Sequence, residues 1–212
     1  TASGTFSTAI GNSVVASGQS SIAIGENTKS SGAFSVSFGN ATEASGENSF
    51  AMGYSTTASA TSSIAMGNET EASGIFSIAM GNNTEASGQS ATAMGDYTVA
   101  SGDYSTAMGS TTLASGDYST AMGNLTKAIG ESSIAMGYSS TASGTTSTAM
   151  GFRTEAIGNY SIVMGTNSKA IGYSSLALGF LNEVSGNYST AMGNLNNVNA
   201  INATVIGTGL EN

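Results

Sequence analysis

Residues 64–81 read IAMGNETEASGIFSIAMG, so one Ile-Ala-Met-Gly returns fourteen residues after the other, with Ala-Ser-Gly midway between them. The spacing extends in both directions. In steps of seven from Gly4 to Gly207, glycine fills every position except Ala60 and Ala200. A short period held over 212 residues predicts stacked repeats and not a globular domain around one central core. The true period is fourteen, because one half reads Ala-Ser-Gly and the other Ala-Met-Gly. All ten methionines (Met52, Met66, Met80, Met94, Met108, Met122, Met136, Met150, Met164 and Met192) lie in the second phase, and Ile10, Ile24, Phe38, Leu178 and Ile206 complete their row.

Seven residues are too few for a helix with its caps and a loop, but they suit a strand of about five residues and a tight corner. A heptad coiled coil is the competing reading of this period. It fails because a glycine in every heptad costs about 1 kcal/mol against alanine. The expected fold is all-β, a parallel β-solenoid of about 15 coils of 14 residues. Gly4, Gly11, Gly18, Gly25, Gly67, Gly81, Gly95 and Gly109 are expected at the corner turns, followed by turn formers such as Asn12, Asn82 and Asp96. The repeat holds over residues 1–193, and residues 194–212 are expected to form a degenerate last coil or cap.

Strand alternation decides which residues face inward. Alanine stands two residues before nearly every glycine, with Ser or Thr two residues earlier at the same parity. The opposite parity of the Ala-Ser-Gly half carries Glu43, Glu71, Glu85, Glu155, Glu183, Lys29, Lys127 and Lys169, a column that cannot be buried. The small residues are therefore the interior, and their buried hydroxyls are expected to bond to turn backbone. The same parity turns the methionine row outward, joined by Ile64, Ile78, Ile134 and Ile162. At roughly 1.5–3 kcal/mol per large side chain, an uncovered stripe of this length is costly. It predicts an obligate homo-oligomer of parallel copies, with the stripe as the subunit interface and a rod of about 70 Å at the usual interstrand spacing.

Composition narrows the functional classes. Net charge is −9, with 4 Lys and Arg in all, so neither a nucleic-acid backbone nor an anionic membrane surface is an expected partner. No apolar run is long enough to insert into a bilayer. With no His or Cys, and carboxylates confined to surface columns, no acid–base pair, nucleophile or metal site stands out; the expectation is no enzyme and no cofactor. The glutamate column lacks the Asp-Gly density of calcium-binding β-roll repeats. Asn-x-Ser/Thr triplets recur from Asn40 to Asn202 because the repeat generates them. The chain opens in mid-repeat at Thr1, the expectation for a segment excised from a longer protein whose export signal, stalk or anchor lies elsewhere.

The run Gly158-Asn-Tyr-Ser-Ile-Val-Met-Gly165, the triplets Ala23-Ile24-Gly25 and Ala128-Ile129-Gly130, and the G-x-x-S-x-A-x-G cadence resemble the YadA-like head of trimeric autotransporter adhesins. The resemblance covers essentially the whole chain. It implies a single-stranded left-handed parallel β-roll assembled as an obligate parallel homotrimer on the bacterial outer surface, extracellular and anchored to the outer membrane by a part outside this segment. The implied partners are identical copies and an extracellular matrix protein, a cell-surface receptor or an abiotic surface. No neck motif of that family follows the last repeat. The Met-rich form also resembles repeats of phage and injection-system tail fibres, which leaves a spacer or receptor-binding fibre segment as the alternative. Ice binding through Thr92, Thr106, Thr120, Thr148 and Thr190 is a minor one.

The residues singled out as ligand contacts are Tyr54, Tyr138, Phe152, Tyr173 and Phe180, each one residue after a glycine, and Ile129, Ile157 and Ile171, which replace serine on the polar sheet. Phe6, Phe34, Phe76, Tyr104, Tyr118, Tyr160 and Tyr188 share another corner position and have the parity of the methionine stripe, so they are expected to extend the subunit contact.

Overall fold

Each turn of the chain is one long strand and one short strand, as in Ile64–Asn68 followed by Glu71–Ala72. In the computed structural model, which describes residues 1–209, every regular element is a β-strand. Long strands of five residues open on Ile, Thr, Val, Phe or Leu, types that suit a half-covered pleated surface. Short strands hold two residues because a corner on either side takes up the rest of the half-repeat.

The chain divides into two compact units, residues 1–104 and 105–212. The first holds seven long strands and seven short ones, the second eight and seven, so each contains seven complete turns. All pairing within them is parallel and keeps a fourteen-residue register. In the first unit Ile64 pairs with Ile78, Met66 with Met80 and Gly67 with Gly81, while Glu71 pairs with Glu85. In the second, Met122 pairs with Met136 and Lys127 with Thr141. The expected closing segment runs through the short strand Asn197–Val198 and the long strand Thr204–Thr208; its last three residues, 210–212, lie outside the described ones.

The interior is a thin layer of small groups. Ala65, Ala72, Ala79 and Ala86 in the first unit, and Ala121, Ala128, Ala135 and Ala142 in the second, are wholly buried between the two strand types. Thr70, Ser77, Thr126 and Ser133 close the same space at the corners. Val163, Val184 and Val198 are the larger occupants. Each buried methyl contributes roughly 0.8 kcal/mol. Cohesion therefore leans on the backbone ladder, in which Glu71 N donates to Thr84 O at 2.8 Å and Ile78 N to Ala91 O at 2.9 Å.

Corners divide their labour in a way the glycine series does not announce. Gly11, Gly25, Gly67, Gly81, Gly95 and Gly109 lie inside long strands with φ between +125° and +132°. Gly4 and Gly18 start the opposite corners and have no positive φ. The left-handed residue of each corner comes two positions after the glycine and, except for Gly209 in the last, is not glycine: Glu69 has φ 51° and Phe76 φ 60°. Glycine alone as the source of left-handed backbone thus gives way to a two-residue arrangement. That conformation costs an L-residue roughly 1–2 kcal/mol. It turns the amide into the ladder, where Asn83 N donates to Asn68 O at 2.9 Å and Phe76 N to Thr61 O at 3.0 Å. Glycine is required for space as well. A Cβ on Gly67 would drive into the carbonyl oxygen of Gly81, and one on Gly74 into that of Gly88. Both interruptions of the series, Ala60 and Ala200, fall in the phase of Gly74, where φ is ordinary.

Buried hydroxyls follow the expected scheme in part. Ser35, Ser49, Ser63 and Ser175 donate to the carbonyl three residues back at 2.6 to 2.7 Å. Ser21, Ser77, Ser119 and Ser133 occupy the same turn position without a partner; the equivalent carbonyl comes within reach by rotation about χ1.

Candidate functional site: the faces and corners of the coil

With the interior closed by methyl groups, function can reside only on the two outer faces and the two corner edges. The outer face of the long strands carries the methionine row. Met52, Met66, Met80, Met94, Met108, Met122, Met136 and Met150 are half-buried within a single chain, whereas Met164 and Met192 are 42% and 37% exposed. Ile10, Ile22, Phe38, Ile162 and Ile206 are also exposed, and Ile24, Ile64, Ile78, Ile134 and Leu178 are half-buried. Stacking at one-coil spacing lets each side chain shade its neighbours. An uncovered stripe therefore costs less than full burial values imply, but it remains an apolar face open to solvent. Thr92, Thr106 and Thr120 stand on this face beside the methionines and are half-buried.

The short-strand face is mostly polar, with Val15, Val99 and Leu113 as apolar interruptions. Lys29 and Glu43 pair at 2.8 Å and Lys169 and Glu155 at 3.0 Å, each across one coil. All four side chains are well exposed, so each pair contributes about 0–1 kcal/mol. Glu71 and Glu85 are register neighbours of like charge. In the second unit Arg153, Glu155, Lys169 and Glu183, with Ser168 and Asn182, line an open depression of about 360 Å³.

The expected contact residues do not form one group. Tyr54 in the first unit and Tyr138, Phe152 and Phe180 in the second end the long strands Phe50–Tyr54, Ile134–Tyr138, Thr148–Phe152 and Leu176–Phe180, and each is exposed at the corner that follows its long strand. Tyr138 and Phe152 stack with centroids 5.1 Å apart and planes 10° from parallel, a contact of about 0.5–1.5 kcal/mol. The guanidinium of Arg153 lies 5.1 Å from the Phe152 centroid. Tyr173 belongs to the other edge, immediately after Gly172. Its ring meets those of Tyr160 at 5.3 Å and Tyr188 at 5.5 Å, both edge-on. Ile129, Ile157 and Ile171 directly follow the short strands Lys127–Ala128, Glu155–Ala156 and Lys169–Ala170; the first two are exposed and the third half-buried.

Two arrangements escape sequence reasoning. Asn182 and Asn196 are buried where the repeat normally places Thr or Ser, three residues after the long-strand glycine. Asn196 Nδ2 donates to Asn182 Oδ1 at 3.0 Å and to Gly207 O at 2.9 Å, and Asn182 Nδ2 donates to Gly193 O at 3.0 Å. The only signal is the change of residue type at that phase. On the long-strand corner of the first unit, Asn68 donates to Asn82 and Asn82 to Asp96, each at 2.7 Å. Six of the Asn-x-Ser/Thr triplets bury their hydroxyl, at Thr42, Thr70, Thr84, Thr126, Ser161 and Ser189, whereas that of Asn202 ends on the exposed Thr204.

Parallel pairing in a fourteen-residue register, an alanine interior and the same cadence in both units decide the relationship. The sequence matches the YadA head domain repeat over residues 1–13, 16–42, 44–70, 72–98, 100–126, 128–154, 156–182 and 185–209. The chain belongs to the YadA head repeat family. Comparison with curated proteins gave no match. YadA head repeats are structural modules of adhesins and not enzymes. Among the described residues, no group of three or more Asp or Glu side chains converges as a metal site would require.

Proposed function

We propose that this segment is the head of a trimeric surface adhesin: three parallel copies of a left-handed coil, displayed outside the bacterial cell and held by an anchor in another part of the protein. The observation that carries the reading is the methionine row, present in each unit on the outer face of the long strands. Three such faces turned toward a common axis cover one another, and the polar short-strand faces then look outward. Exposed corner aromatics and Ile129, Ile157 and Ile171 supply contacts to a matrix protein, a cell-surface receptor or an abiotic surface. Each contact is weak and is repeated three times per head, so attachment gains through avidity. Sedimentation tests the assembly: a trimer is expected at micromolar concentration, and a dominant monomer overturns it. Beads coated with the trimer are expected to adhere to matrix or cell layers that beads carrying monomer leave bare.

A further inference from the structure

On the short-strand corner edge of the second unit, four successive corner pairs are Thr-Thr, Asn-Tyr, Tyr-Ser and Asn-Tyr, at 145–146, 159–160, 173–174 and 187–188. None of these positions carries a charge in a chain of net charge −9. Tyr160, Tyr173 and Tyr188 are 49%, 41% and 58% exposed and form one continuous aromatic patch across three turns. The repeat departs from its pattern in the same place, since Ile157 and Ile171 replace the usual serine in the turns that lead into Tyr160 and Tyr173.

The patch is held rigidly. Tyr160 N donates to Thr145 O at 2.9 Å, Ser174 N to Asn159 O at 2.9 Å and Tyr188 N to Tyr173 O at 2.8 Å. Asn187 Oδ1 accepts from Tyr173 N at 2.9 Å and Asn159 Oδ1 from Thr145 N at 3.0 Å, so each amide keeps its Nδ2 for another acceptor. Tyr160 and Tyr188 occupy left-handed backbone with φ 60° and 56°, where Asn or Gly is the relaxed choice.

We propose that this corner binds an extended neutral glycan, a β-linked hexose or N-acetylhexosamine chain lying along the stacking direction. Packed edge to face at 67° to 69°, the rings cover one another in part, and with Tyr160, Tyr173 and Tyr188 49%, 41% and 58% exposed the remaining ring surface is open to the C–H face of a sugar. Centroid separations of 5.3 and 5.5 Å approximate the step between successive rings of such a chain, so successive sugars pass successive tyrosines, stacking on the face of one and meeting the edge of the next. The phenolic hydroxyls and the free amide nitrogens supply the directional bonds that hydroxyl-rich ligands need. With no charge at these corner positions, a neutral polymer binds without desolvating an ion. The isoleucines give an acetamido methyl group an apolar seat. The proposal deepens the adhesin reading and draws from it only that this edge stays open to solvent in the assembled head.

The test is titration of the intact trimer with cellotetraose and chitotetraose, with the curved maltotetraose as comparator. Saturation transfer to the sugar ring protons is the first readout; because the chain has no Trp, a change in tyrosine fluorescence that is lost in Tyr173→Ala is the second. Saturable binding in the millimolar range is expected for at least one extended tetraose. Tyr173→Ala is expected to weaken it by about tenfold, the order lost with one aromatic anchor. Glu85→Ala, on the short-strand face of the first unit, is expected to leave it unchanged. Absence of saturation by either extended tetraose, equal binding of maltotetraose, or equal affinity of the two variants overturns the proposal. So does dissociation of Tyr173→Ala on sedimentation, which makes the corner a subunit contact. If the sugars fail to bind while coated beads still adhere, the glycan site is wrong and the adhesin reading survives.

Discussion

The long-strand and short-strand faces share one interior and have opposite exteriors. Behind the methionine row lie Ala65 and Ala79, and behind the glutamate column lie Ala72 and Ala86, all wholly buried. The inner gap accepts methyl groups from both sides, so geometry fixes that side of each strand. Nothing in the coil's own packing demands Met outside one face and Glu outside the other. That difference records what each face meets: in our reading, sister subunits on one side and water on the other.

The strongest challenge to the contrast places a charge on each face in turn. Met94→Asp is expected to abolish the trimer at micromolar concentration, because three carboxylates would crowd one axis in an apolar setting. Glu85→Lys, on the opposite face, is expected to sediment as the parent does. If Met94→Asp remains trimeric, the methionine face is not the interface.

Glycine sharpens the comparison at the level of the backbone. Gly81→Ala places a Cβ against the Gly95 carbonyl at a φ of +131° and is expected to cost roughly 3 kcal/mol. Gly74→Ala meets a similar carbonyl at ordinary φ, in the phase that already contains Ala60 and Ala200; it is expected to cost about half that or less. Thermal unfolding of the two variants ranks them, and equal destabilisation would remove φ as the cause. Smaller still is the ion pair between Lys169 and Glu155. Lys169→Ala is expected to cost no more than about 1 kcal/mol, an effect that disappears in high salt. Smallest, and opposite in sign, Glu71→Lys exchanges a like-charge neighbour of Glu85 for an unlike one and is expected to stabilise by about 0.2–1 kcal/mol.

Most of the fold was legible because strand parity and a strict period leave few alternatives. Once Glu71 and Glu85 could not lie inside, Ala72 and Ala86 had to, and the register of fourteen followed from Met66 and Met80. The corners were less legible. Glycine at every seventh position invites the conclusion that glycine makes the turn, whereas Glu69 and Phe76 adopt the left-handed backbone and the glycines mainly clear space for the neighbouring carbonyl. The grouping of Tyr173 with Tyr138 and Phe152 rested on each being one residue after a glycine. Those glycines belong to alternate phases, so the structure sends the side chains to opposite edges. The ladder of Asn182 and Asn196 was beyond reach, because a buried amide in place of a hydroxyl shows its worth only when its carbonyl acceptors are known.

The in-register pairing of every turn with the next has a genetic corollary. Slipped copying that adds or removes one fourteen-residue unit leaves each remaining residue opposite an equivalent partner, so lineages can lengthen or shorten the protein without redesigning either side. A slip of seven exchanges the two sides beyond the scar, and purifying selection should remove it.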